Sequence, residues 1–146
     1  MSVNLRNYTI ALFGLDHVLR GVAADSWDNP SPCKGWTARN VAGHAIGVVS
    51  NVAARAGLGV LCDPFGDTAA IAGDDVYTTW LQIRDRVLTA LDQPGALQIT
   101  FESTVGPMTI DGYIGMLTAD ALIHSWDIAR ATGGDERLDP AIVTVS

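Results

Sequence analysis

The stretch ADALIHSWDIARATGG, residues 119–134, has the periodicity of a helix and ends in the double glycine that stops one. At ~100° per residue, a helix that sets Asp120 at zero brings His124 to about 40° and Asp127 to about −20°, in one sector with Tyr113, Leu117, Ile128 and Ala131. Two carboxylates and an imidazole therefore share the side that should face a core. Burying them is costly unless they are paired, hydrogen-bonded or bound to an ion.

The same period recurs towards the N-terminus. From about Asn4 to Ala24, Tyr8, Leu12, Leu15, Leu19 and Val22 form an apolar stripe. The segment WDNPSPCKGW, residues 27–36, is stiffened by two prolines and reads as an irregular connection. Thr37 is placed to cap a helix from about Ala38 to Ala56, whose buried side is Val41, His44, Ala45, Val48 and Val52. His44 is thus a second polar residue within an apolar stripe. Gly57 to Gly73 reads as a loop. A third helix is expected from about Asp74 to Leu91, with Val76, Trp80, Ile83, Val87 and Leu91 inward and Asp74 and Asp75 suiting the positive end of its dipole. ALQITFESTVGPMTI, residues 96–110, alternates weakly around a Gly-Pro, so a short hairpin is expected before the last long helix begins near Asp111. Asp139–Pro140 resembles the cap and first residue of another helix; the sequence stops six residues later, so that helix is either very short or cut away, and the domain is expected to lack its C-terminal end.

Composition narrows the function classes. A chain of 146 residues, 48% hydrophobic and 17% charged, fits one domain with a substantial core. No apolar run approaches the ~20 residues that cross a bilayer. The N-terminal pattern continues as an amphipathic helix through Asp16 and His17, unlike a signal peptide, and a cytoplasmic location is expected. The net charge is −7, with five acids and five bases up to Gly73 and eleven acids and four bases after it. No basic cluster supports binding to nucleic acid or to an anionic membrane. Cys33 and Cys62 form neither a CxxC pair nor a disulfide framework and read as reduced, partly buried thiols.

Four long helices predict an all-α four-helix bundle, in which sites are built from side chains on facing helices. Asp120 and His124 stand one turn apart, the spacing that lets two ligands hold one ion, and His44 would join them from another helix. The competing reading is an internal Asp–His salt bridge with His44 hydrogen-bonded to a carbonyl; spacing leaves both open. Asp127 could replace Asp120 or support His124 from behind, or simply pair with Arg130 or a loop amide. His17 is expected at the rim and Cys33 at a packed turn. Trp36 and Trp126 are expected to fill the core.

The pair of segments WDNPSPCKGWTARNVAGHAIG and DALIHSWDIARATGG resembles the DinB/YfiT-like superfamily, in the actinobacterial branch that holds the N-terminal domain of mycothiol-dependent maleylpyruvate isomerase. The resemblance implies a four-helix bundle with a divalent metal, commonly zinc or nickel, held by a histidine of the second helix and two residues one turn apart on a later one. Those positions fall on His44, Asp120 and His124; related branches carry His or Glu where this chain has Asp120. It also implies that the metal binds the sulfur of a low-molecular-weight thiol, mycothiol, bacillithiol or glutathione, which then attacks an electrophile. Eight arginines against one lysine, with abundant Ala, Gly and Val, suit a GC-rich genome and favour mycothiol. Three classes follow: a thiol S-transferase or isomerase, a metal- or small-molecule-binding bundle without turnover, and a bundle whose core polar groups satisfy one another. An iron oxygenase fits the donor set but not the scaffold. The isomerase has further C-terminal sequence, so maleylpyruvate is not assumed as substrate. A homodimer is compatible with such bundles, although no stripe marks its interface.

Overall fold

The computed structural model describes residues 2–59 and 66–137. Cys62 and the helix expected at Asp139–Pro140 lie outside them. Four long helices are present: α1 (Val3–Gly21), α2 (Ala38–Ala53), α4 (Val76–Leu91) and α5 (Ile110–Thr132). A short helix, α3 (Thr68–Ala72), precedes α4, and a hairpin of β1 (Thr100–Ser103) and β2 (Gly106–Thr109) precedes α5. The all-α bundle and its hairpin are as the periodicity predicts. No helix among the described residues is long and apolar enough to cross a membrane.

Packing follows from the stripes. Helix α1 lies along α5 and α4, and α2 lies along α5, α4 and α3. Ser2 Oγ, which caps α1 by accepting from Leu5 N, also donates to Asp111 Oδ1 at 2.6 Å, tying the starts of α1 and α5 together. These two helices therefore run parallel. Helix α2 runs against α5, because Asn51 near its end meets Tyr113 near the start of α5. The core holds Tyr8, Leu12, Leu15 and Leu19 from α1, Val41, Ala45 and Val52 from α2, and all five expected positions of α4.

Several boundaries differ from the sequence reading, each for a local reason. Helix α1 stops at Gly21, a poor helix former, and the chain turns so that Trp27 enters the core. Helix α2 stops at Ala53 and widens into a turn over Ala54–Leu58, where Gly57 adopts φ 95°. The expected 57–73 loop contains α3, started by Asp67, whose side chain accepts from Ala69 N and Ala70 N. Helix α3 sits so close to α2 that a Cβ on Gly43 would lie 1.7 Å from the Thr68 carbonyl oxygen. Asn40 Nδ2 also donates to Thr68 Oγ1 at 2.9 Å.

Asp16, which lies off the apolar stripe that the sequence marks on α1, is buried. Its Oδ1 accepts from Trp80 Nε1 at 3.0 Å, Tyr77 Oη at 3.1 Å and Arg84 Nη1 at 3.0 Å, clamping α1 to α4. Trp80 and Trp27, rather than Trp36 and Trp126, are the core tryptophans. Trp36 is half-buried above His44, and Trp126 is half-buried beneath the Arg130 guanidinium.

Candidate metal centre

The seam between α2 and α5 brings the candidate residues together. Thr37 caps α2 in a reciprocal box: Asn40 N donates to Thr37 Oγ1 at 3.3 Å and Thr37 N donates to Asn40 Oδ1 at 3.0 Å. That fixes the start of α2, and His44 follows two turns later. The preceding turn is fastened to α5 by Asn29 Nδ2, which donates to the Ala131 carbonyl at 3.1 Å, and by Cys33 Sγ, which donates to Asp127 Oδ2 at 3.4 Å. His44 and His124 meet edge to face with ring centroids 4.8 Å apart. Trp36 also lies against His44, with ring centroids 5.4 Å apart.

His44, Asp120 and His124 each offer one ligand atom, and these atoms lie within 4.8 Å of one another. Among the described residues this is the one such group of three. Tetrahedral zinc with bonds of about 2.1 Å separates its ligands by about 3.4 Å, so small side-chain rotations would bring the three donors to that spacing and leave a fourth position open. Two nitrogens and one oxygen fit a divalent ion of zinc or nickel type. All three side chains are half-buried, which leaves the group open along the seam.

His124 lies between two carboxylates. Its Nε2 is 3.2 Å from Asp120 Oδ1, and its Nδ1 is 3.4 Å from Asp127 Oδ2 without the alignment of a hydrogen bond. Burial pulls the His124 pKa down, but Asp120 and then Asp127 more than reverse this and hold it above the ordinary value. His44 is shifted the other way, first by burial and then by the charge of His124, with Asp120 opposing. The two imidazoles thus differ: His44 is held neutral and His124 favours its proton. An ion seated between them would take the place of that proton.

Asp127 is more deeply buried than Asp120, with side-chain exposures of 7% and 32%. It faces the rear nitrogen of His124 and the Cys33 thiol, not Arg130, which instead pairs with Glu136 at 3.1 Å. Burial, then the hydrogen bond to Asp127, raise the Cys33 pKa, so this thiol is a structural donor. His17 is exposed at the rim, 3.9 Å from Asp135. Val48, placed among the buried positions of α2 by periodicity, is half-buried like His44 because this side of the helix faces the open seam.

Further along the seam, sequence periodicity missed a second polar cluster. Asn51 Nδ2 donates to Tyr113 Oη at 2.9 Å, Phe101 of the hairpin meets the Tyr113 ring at 5.1 Å, and Arg55 lies 5.0 Å over the Phe101 ring. The seven-residue steps from His44 to Asn51 and from Tyr113 to Asp120 were the available signal, two turns on one helix face.

Comparison with known proteins agrees with this architecture. Residues 11–129 match the family described as the mycothiol maleylpyruvate isomerase N-terminal domain. The uncharacterized proteins MT0763 and Rv0738, from two strains of Mycobacterium tuberculosis, are 30% identical over 125 residues, covering 86% of this chain. The aligned part spans 65% of the length of each relative. No solved structure matches the chain.

Proposed function

This chain belongs to the family of the mycothiol maleylpyruvate isomerase N-terminal domain, and from that premise we propose that it holds one divalent ion, zinc or nickel, through His44, Asp120 and His124. The reading continues to a reaction: transfer or isomerisation in which a low-molecular-weight thiol, mycothiol by the family's description, adds to an electrophilic small molecule. The observation that carries it is the convergence of two imidazoles and a carboxylate, from two separate helices, on one half-open point of the seam.

The ion, when bound, would lower the pKa of a coordinated thiol and so supply a nucleophile at neutral pH. The protein's own part is arrangement. His44 is kept neutral and ready to donate a lone pair. Asp120 supplies a negative charge that offsets part of the ion's charge, and Asp127 faces the rear nitrogen of His124, favouring ligation through Nε2. Trp36 packs against the His44 ring, and the Cys33 turn is tied to Asp127 behind His124. No protein nucleophile is required.

The alternative is a bundle that binds a metal or small molecule without turnover. The deciding experiment incubates zinc- or nickel-loaded protein with mycothiol and a panel of electrophiles and follows both loss of free thiol, which reports transfer, and conversion of the electrophile, which also reports an isomerisation that returns the thiol. Turnover that disappears in His44→Ala supports the enzyme. Metal-loaded protein that neither consumes thiol nor converts any electrophile above the rate of free metal ion would favour the binding bundle.

A further inference from the structure

Tyr8, on the inner stripe of α1, is 1% exposed, and among the described residues its hydroxyl has no hydrogen-bond partner. Such a group loses its contacts with water and gains nothing in exchange, whereas phenylalanine would fill the same space without that cost. Along the parallel pair, Asn4 packs against Gly115 and Ala11 clusters with Ala121 and Leu122, so Tyr8, between them on α1, lies level with the turn of α5 that carries Asp120; in keeping with this, ionisation of the phenol is opposed first by burial, then by Tyr113 and Asp120. Tyr113 is already engaged by Asn51. Asp120 meets His124 through Oδ1, and among the described residues its other oxygen receives no donor.

A buried donor without an acceptor therefore stands near a carboxylate oxygen without a donor. We propose that Tyr8 is a positioning residue of the ion site, its hydroxyl donating to the Asp120 carboxylate when that carboxylate turns from His124 Nε2 to an ion. This rests on the reading of His44, Asp120 and His124 as ligands. Carboxylates that ligate metals are themselves held by hydrogen bonds, which fix the oxygen presented to the ion. Every other ligand already has a neighbour that orients it: Trp36 leans on His44, and Asp127 faces the rear of His124. Asp120 lacks one, and Tyr8 supplies it from a third helix.

The test compares wild type and Tyr8→Phe by titration with zinc alone and by melting of the chelator-treated proteins. Zinc affinity should fall about 10-fold or more, within the range usual for loss of a group that orients a ligand. The chelated variant should melt no lower than wild type, since the hydroxyl it lacks was unpaired. In an Asp120→Ala background the same change should alter zinc affinity less than about two-fold, because the acceptor is gone. Wild type that binds no zinc would overturn the ion reading and this inference with it. Wild type that binds zinc, beside a Tyr8→Phe variant of equal affinity, would overturn this inference alone. If Tyr8→Phe fails to fold, wild type labelled at tyrosine Cζ gives the same decision. The Tyr8 resonance, assigned by elimination with Tyr77→Phe and Tyr113→Phe, should move on zinc addition in wild type but not in Asp120→Ala. A resonance that stays in place in zinc-bound wild type would overturn the inference.

Discussion

Asp120 and Asp127 flank the same imidazole, and replacing each by asparagine should have different consequences for the ion and for the fold. Asp120 Oδ1 lies at Nε2 of His124, the nitrogen proposed to meet the ion, so on that proposal Asp120→Asn removes an anionic ligand and a compensating charge. Zinc affinity should fall more than about 100-fold, above ~2.8 kcal/mol at ~1.4 kcal/mol per tenfold. Asp127 lies behind the ring, at Nδ1, so Asp127→Asn should cost about 10 to 100-fold, or ~1.4–2.8 kcal/mol. The order reverses in chelated protein. There the Asp127 side chain, 7% exposed, is the buried partner of His124 and of the Cys33 thiol, and losing it should destabilise by about 1–3 kcal/mol. The Asp120 side chain is 32% exposed, and its loss should cost less than about 1 kcal/mol. Isothermal titration with zinc and urea denaturation of the chelated variants measure both quantities. If Asp127→Asn damages zinc binding more than Asp120→Asn, the carboxylate ligand must be reassigned to Asp127.

Other consequences follow from the same contacts. Because the His124 pKa is raised, its contribution to the stability of chelated protein is fully present below about pH 6.5 and is lost as pH rises through the folded value, while zinc affinity changes in the opposite sense as protons compete for the same nitrogen. Denaturation and zinc titration between about pH 8 and pH 6.5, above the range in which His44 with its lowered pKa opposes the trend, should show these opposite slopes, and parallel slopes would contradict the coupling. Gly43→Ala places a methyl group against the Thr68 carbonyl and should cost about 1–3 kcal/mol, read as a lowered Tm; an unchanged Tm would mean that α3 does not sit against α2. Asp16→Ala leaves Trp80 Nε1, Tyr77 Oη and Arg84 without their shared acceptor and should cost about 3 kcal/mol or more in urea denaturation, whereas an effect below about 1 kcal/mol would show that the α1–α4 clamp contributes little.

The long helices were legible in the sequence because each buries a stripe long enough for its period to show. The five inward positions of α4 are the clearest case, all of them buried. His44 and His124 were legible as polar residues on apolar faces, and the structure brings them together with Asp120. Helix α3 was not legible. Five residues span little more than one turn, and its place is set by Gly43 and Asn40 on another helix. The Asp16 clamp was hidden for a similar reason: its partners lie more than sixty residues away, and nothing local distinguishes a buried aspartate from a solvated one. Periodicity assigned Asp127 to the right face but could not show that it lies behind His124 rather than beside Arg130. The unpaired hydroxyl of Tyr8 likewise looked like ordinary core, since tyrosine at a stripe position signals packing and says nothing of its polar end.

The most direct measurement of the central claim is the metal content of protein purified without an affinity tag or chelator, then reconstituted with zinc or nickel and freed of excess ion. Close to one ion per chain is expected, bound tightly enough to raise the melting temperature, and lost in both His44→Ala and His124→Ala. Wild type that stays metal-free after reconstitution, or that keeps its ion when either histidine is replaced, would contradict the assignment of these residues as a metal centre.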